Sequence, residues 1–170
     1  MLTLPTIMKA ALILLAFCVT ATAAARRPSE KWTFCHFDGS NFVSGKPAEG
    51  ADYIAVGDKL QPLIANSSAK LKPVSLPSGK GAVTGIAYIQ RSGGKLGNGA
   101  GYIGVPRLTL QAISAEKIVE TFETDEKGYF TANIDPGQYR LGSAPFYVDV
   151  TVKEGKTTIV PLRAGKRMVD

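Results

Sequence analysis

Apolar and polar residues alternate most regularly between Val105 and Leu141. Leu108, Leu110 and Ala112 fall on one side of this stretch, and Arg107, Thr109 and Gln111 on the other. A period of two predicts a strand with one face buried and one solvated. The alternation is broken by Asp125-Glu126-Lys127-Gly128 and by Asp135-Pro136-Gly137. Both are turn signals: Gly accepts a positive φ, and Pro pre-sets φ at the second turn position. Upstream, Ala82 to Gln90 reads as a strand. Downstream, Gln138 to Gly142 continues the ladder, and Phe146, Val148, Val150 and Val152 alternate with Tyr147, Asp149, Thr151 and Lys153. Glu154-Gly155-Lys156 then turns the chain into a last strand, Thr157 to Leu162. No convincing helical period interrupts this series. Short strands at such spacing predict an all-β, antiparallel sandwich.

The chain before residue 81 carries no such rhythm. Pro47, Pro62, Pro73 and Pro77 and four glycines punctuate residues 46–81. Tyr53 to Val56 is a short strand candidate, and Leu60 to Leu71 is either a helical turn or a segment draped over the sandwich. Residues 26–80 are therefore expected as an irregular N-terminal extension. Asn66-Ser67-Ser68 matches a glycosylation acceptor, which has meaning only in a eukaryotic secretory route.

Residues 1–25 have the composition of a signal peptide. Met8-Lys9 is positive, Ala10 to Val19 is apolar, and Ala21 to Ala25 supplies small residues for cleavage. The apolar run falls short of the roughly 20 residues that span a bilayer. The mature chain has no transmembrane segment of its own. Phe17 before Cys18 is too large for a lipoprotein signal. The expected organisation is a signal peptide over 1–25, an extension over 26–80, a β-sandwich over 81–164 and a polar tail over 165–170. The expected location is the periplasm or the extracellular space.

Charge and chemistry narrow the function. The net charge of +6 becomes +5 once Lys9 leaves with the signal peptide. Lys and Arg are scattered without interleaved aromatics, which argues against nucleic acid. Cys35 and His36 are adjacent, but no further Cys or His in the mature chain completes a metal site. For Cys35 three readings stay open: a core thiol, an intermolecular disulfide, or a nucleophile. The third is disfavoured because strand neighbours point to opposite faces. Glu116, Glu120, Glu123, Asp125 and Glu126 gather along one hairpin, with Glu116 and Glu120 expected on one face. Two acids at Asp125-Glu126 are too few ligands for calcium. Gly99-Ala100-Gly101-Tyr102-Ile103-Gly104 has dinucleotide-binding spacing, but Val105-Pro106 and a strand follow where a helix is required. No catalytic, cofactor or metal residues are assigned, and no cofactor is expected. Trp32, Tyr102, Tyr129 and Tyr147 are the candidate ligand-binding residues, because aromatic rings near loops stack on sugars.

Five pieces in order resemble a known family. They are Gly81-Ala82-Val83-Thr84-Gly85, then Gly104 to Leu110, then Thr121 to Phe130, which resembles a T-x-T-D-x-x-G-x-F core with one extra residue between the threonines. Asp135 to Leu141 follows as P-G-x-Y-x-L, and Val150 to Leu162 closes the set. Residues 81–162 thus resemble the carboxypeptidase regulatory-like domain, whose fold the collagen-adhesin B-type repeats share. The resemblance implies a seven-stranded, prealbumin-like antiparallel β-sandwich and a non-catalytic accessory role in an exported protein. The isopeptide crosslink of the adhesin relatives is not expected, since Gly142 stands at the acid position and Thr157 to Leu162 holds no Asn. The function expected is an exported binding or structural module of the cell envelope or extracellular space, with a polysaccharide or an envelope protein as partner. The alternatives are an assembly subunit docking through residues 26–80 and an uncharacterised hydrolase.

Overall fold

The computed structural model describes residues 32–66, 68–91 and 101–165. The expected signal peptide over 1–25 with Cys18, most of the glycine-rich stretch 92–104 and the tail beyond Gly165 lie outside the described residues. Every regular element described is a β-strand. Strands β1 (Thr33–Phe37), β2 (Phe42–Ser44), β3 (Tyr53–Val56) and β4 (Leu63–Ala65) form one sheet in the order β2-β1-β3-β4. A middle sheet is built on β5 (Gly81–Arg91), with β12 (Thr157–Arg163) along one edge. Strands β9 (Tyr129–Ile134) and β6 (Gly101–Gly104) lie end to end along its other edge. The outer sheet has the order β11 (Phe146–Val152), β10 (Gly137–Ser143), β7 (Thr109–Ser114), β8 (Lys117–Glu123).

The middle and outer sheets make the β-sandwich. Its interior holds Val83 and Ala87 of β5, Leu110 and Ala112 of β7, Phe130 of β9 and Leu141 of β10, all at most 1 % exposed. The period-two pattern produces this core: one set of alternate residues is buried and the other faces away. Each fully buried side chain of this size contributes about 1.5–3 kcal/mol. Gly85 lets its neighbours in the middle sheet come close, since a Cβ there would overlap the carbonyl oxygen of Val160 on β12 and touch the ring of Phe130 on β9.

Two features differ from the expected plan. First, residues 33–65 are not irregular. They form their own sheet, which packs Cys35, Phe37 and Ile54 against Ile86, Tyr88 and Tyr129 on the back of the middle sheet. Pieces of three to five residues are too short to display an alternation, so of these four strands the sequence marks only Tyr53 to Val56, which is β3. Leu71 and Trp32 then pack on the far side of this sheet, against Tyr53, Ala55 and Ala65. Second, the sandwich region has eight strands, β5 to β12, and β12 runs parallel to β5. The chain leaves β11 in the outer sheet and crosses to the middle sheet, so it arrives alongside β5 in the same sense. Pro161 within β12 fits this place, because an edge strand has one side that donates no ladder hydrogen bonds.

The motifs that carried the family resemblance are structural. Thr124 is buried; its Oγ1 donates to the Val105 carbonyl (2.6 Å) and accepts from Leu108 N–H (2.8 Å). Asp125 Oδ1 accepts from the N–H groups of Lys127 and Tyr129, both at 2.8 Å, and Gly128 takes φ 87° to close the turn. Tyr139 O–H donates to the Asp135 carbonyl (2.8 Å) and ties down the β9–β10 turn.

Candidate functional site

The four aromatic candidates fall in three separate places. Trp32 covers the far side of the N-terminal sheet. Tyr102 and Tyr129 come together at the edge of the middle sheet, but Tyr129 is only 4 % exposed and belongs to the core. Burial first, then nearby Tyr102, Asp52 and Asp125, push its phenol well above the ordinary range. Tyr102 is 36 % exposed and sets its ring edge-on against Phe37, with centroids 4.7 Å apart. Tyr147 alone of the four lies on the outer sheet, facing away from the sandwich core.

The reactive side chains are occupied with structure. The Cys35 thiol donates to the Ile54 carbonyl at 3.6 Å, and burial raises its pKa. Of the three readings of Cys35, this geometry is that of a core thiol. His36 Nδ1 hydrogen-bonds the Gly45 carbonyl at 2.9 Å. Asp38 is held below the usual carboxylate range by backbone N–H groups of Asn41 and Ser40, as a turn cap. Among the described residues no three His, Cys, Asp or Glu side chains are placed to hold a metal ion. Among the described residues there is no helix long and apolar enough to cross a membrane.

The hairpin acids do not act together. A β-bulge between β7 and β8 sets Ala112 opposite Glu120 and Ile113 opposite Ile118, leaving Val119 as the extra residue. One extra residue reverses the alternation, so Glu120 does not share a face with Glu116 as expected. Glu120 instead sits by the Lys80–Asp135 ion pair (2.8 Å) and helps hold the Lys80 ammonium charged. Asp125 is a turn cap, and Glu126 pairs with Arg107 at 2.6 Å.

A concavity lies on the outer face of the outer sheet. Tyr139 and Val150 point into the core, so their neighbours Gln138, Arg140, Asp149 and Thr151 point out. The β10–β11 register puts Gln138 opposite Thr151 and Arg140 opposite Asp149, while β7 adds Ile113 opposite Arg140. The β7–β8 turn, Ala115-Glu116, walls one side and completes a hollow of about 440 Å³. Both turn residues have positive φ, 46° and 63°, with no Gly or Asn to make this easy. Beside the hollow, the Arg140 guanidinium lies 5.1 Å from the centre of the Tyr147 ring. Tyr147 O–H reaches Gln111 Oε1 (3.4 Å) across Gly142, the residue that pairs with both. A Cβ at Gly142 would overlap the Phe146 carbonyl oxygen.

Sequence reasoning found Tyr147 but not its neighbours. Gln138, Arg140, Asp149 and Thr151 look like ordinary solvent-side alternates until register sets them side by side. The available signal was the two-residue turn Ala144-Pro145, which fixes Ser143 opposite Phe146 and hence Arg140 opposite Asp149. No family model and no curated protein matches the sequence. A similar solved structure is the crystal structure of GBS52, the minor pilin in the Gram-positive pathogen Streptococcus agalactiae. Its TM-score is 0.35 at 10 % identity, over 76 % of this chain and 66 % of that one.

Proposed function

We propose that the protein is an exported, non-catalytic binding or structural module of the cell envelope or extracellular space. In this reading its sandwich is a carboxypeptidase regulatory-like domain, and it acts through the outer face of β7, β8, β10 and β11. The observation that carries the reading is the contrast in use of side chains. Cys35, His36 and the turn acids are committed to local structure, whereas Gln138, Arg140, Asp149 and Thr151 surround a hollow and serve no core.

Two measurements test it. Fractionation of the producing cell should recover the chain outside the cytoplasm with its N-terminus at about Arg26. A cytoplasmic chain starting at Met1 or Met8 would refute export. Immobilised protein should capture material from an envelope extract, and Arg140→Ala should weaken that capture without lowering the unfolding midpoint. Equal capture by the variant would remove the outer face from the proposal.

A second reading, assembly by strand addition, is favoured by β8. This strand is the edge of the outer sheet and exposes Ile118 by 55 % and Val119 by 49 %. Exposed apolar edge strands are templates for another strand. Residues 33–65 support a docking role less well, because the inward face of their sheet is buried against Ile86, Tyr88 and Tyr129.

A further inference from the structure

We infer that the hollow on the outer sheet binds a neutral, polyhydroxylated ring, a sugar unit of a saccharide chain. The inference deepens the proposed binding role and rests on it. Charge is the first argument. Arg140 lies opposite Asp149, and Glu116 stands in the wall, so one cation faces two acids. A site for phosphate, sulfate or a uronate needs excess positive charge, commonly from Arg. This lining offers none to spare. The hollow also lacks the ligand set a divalent ion requires, since Asp149 and Glu116 are accompanied by an arginine.

The hydrogen-bonding inventory is the second argument. Arg140 only donates, Asp149 and Glu116 only accept, and Gln138, Thr151 and Ser114 do both. A sugar hydroxyl both donates and accepts, and adjacent hydroxyls present the two roles at close spacing. Planar Arg, Asp and Gln side chains on neighbouring strands match that arrangement. Ile113 in the lining supplies apolar surface for the C–H face of a ring. The hollow of about 440 Å³ lies within the range of small-molecule sites, roughly 300–1,000 Å³.

The third argument is rigidity. Most of these side chains sit on hydrogen-bonded strands whose register fixes their spacing, which suits recognition better than a loop does. The wall is held at a cost. Ala115 and Glu116 both occupy the left-handed region, and such residues persist where the surroundings over-determine them, often beside ligand sites.

The experiment is a titration of the purified, isotopically labelled protein, followed by amide NMR. The probes are gluco-, xylo-, manno- and chito-oligosaccharides of matched length, with an oligogalacturonate as the anionic member. One neutral probe should give saturable shifts centred on Ser114, Glu116, Gln138, Arg140, Asp149 and Thr151. Arg140→Ala and Gln138→Ala should each weaken that binding about tenfold or more, the loss of one hydrogen-bond partner. Their unfolding midpoints should be unchanged, because both residues are exposed. Stronger binding of the oligogalacturonate, declining with salt, would overturn the neutral-ligand inference. So would shifts centred on Tyr102 instead of the hollow. If no sugar binds but an envelope protein shifts the same amides, the sugar inference fails and the binding-module reading stands. If neither perturbs the hollow, both fail.

Discussion

The two faces of β5 show how differently one strand can be used. Its odd-numbered residues, Val83, Gly85 and Ala87, meet the outer sheet across an interior dominated by aliphatic side chains. Its even-numbered residues Ile86 and Tyr88 meet the N-terminal sheet across a smaller interface rich in rings. There Phe37 packs on Phe42, Tyr88 and Tyr102 with centroids 4.7–5.4 Å apart. Because both faces are covered, eight consecutive residues of β5 are buried, where a half-solvated strand would show four. The first interface is the sandwich; the second attaches a sheet of short strands to its back. The difference teaches that the sandwich should govern global stability and the attached sheet should open on its own.

The largest effect is expected at the sandwich. Phe130→Ala removes a ring 1 % exposed at the centre of its core and should cost about 3–5 kcal/mol. Chemical denaturation should show one transition at a much lower midpoint. A loss below about 1 kcal/mol would mean that this core does not hold the fold.

Ile54→Ala makes the matching change at the other interface. The side chain is fully buried between the N-terminal and middle sheets, so a local cost of about 2–4 kcal/mol is expected. The distinguishing readout is hydrogen exchange. Amides of β1, β3 and β4 should lose protection while those of β7 and β10 keep it, as expected of a separately opening unit. Uniform loss across all three sheets would show that the two interfaces are one cooperative structure.

How much of this was legible follows from strand length. The sandwich was readable because β7, β9, β10 and β11 each give at least three turns of the period, and because Thr124-Asp125 and Pro136-Gly137 mark their ends. Of the N-terminal sheet only Tyr53–Val56 was, since Phe42–Ser44 and Leu63–Ala65 are shorter than two periods. Nor does a sequence name a strand's neighbour, so Thr157 to Leu162 read as a strand without showing that it runs parallel to β5. The hollow was hidden for a related reason. Arg140, Asp149, Gln138 and Thr151 are polar residues in polar positions, and only pairing makes them a site.

A change in the turn between β8 and β9 should cost less than either core deletion. Thr124→Val keeps the shape but leaves the partly buried Leu108 N–H and Val105 carbonyl without the Oγ1 partner. A loss of about 1–3 kcal/mol is expected. The exposed Arg107–Glu126 pair nearby makes the contrast. Arg107→Ala should change stability by less than about 0.5 kcal/mol, since solvent screens such pairs. A larger loss from Arg107→Ala than from Thr124→Val would reverse the assignment of what holds this turn.

The smallest effect near neutral pH, and the one most specific to the second interface, is its response to alkali. Cys35 and Tyr129 both lie between the N-terminal and middle sheets, and burial raises both pKa values above their ordinary 9.0 and 10.0. In the unfolded chain they lose their protons near those ordinary values; in the folded chain they resist. The folded state therefore holds more protons once pH passes about 9, and stability falls as pH rises. Below that window both groups are protonated in both states and contribute no slope. The unfolding midpoint should stay level from neutral pH to about 8.5 and decline above it. Tyr129→Phe keeps the ring in its packing and removes the phenol, so the decline should become shallower while the level part stays. Adding Cys35→Ala should flatten it further, with a lower plateau from the lost packing. An unchanged slope in the double variant would move the alkaline sensitivity elsewhere: to Tyr139 in the sandwich, whose phenol burial also raises, or to Lys80, whose ion pair with Asp135 is lost as the ammonium deprotonates.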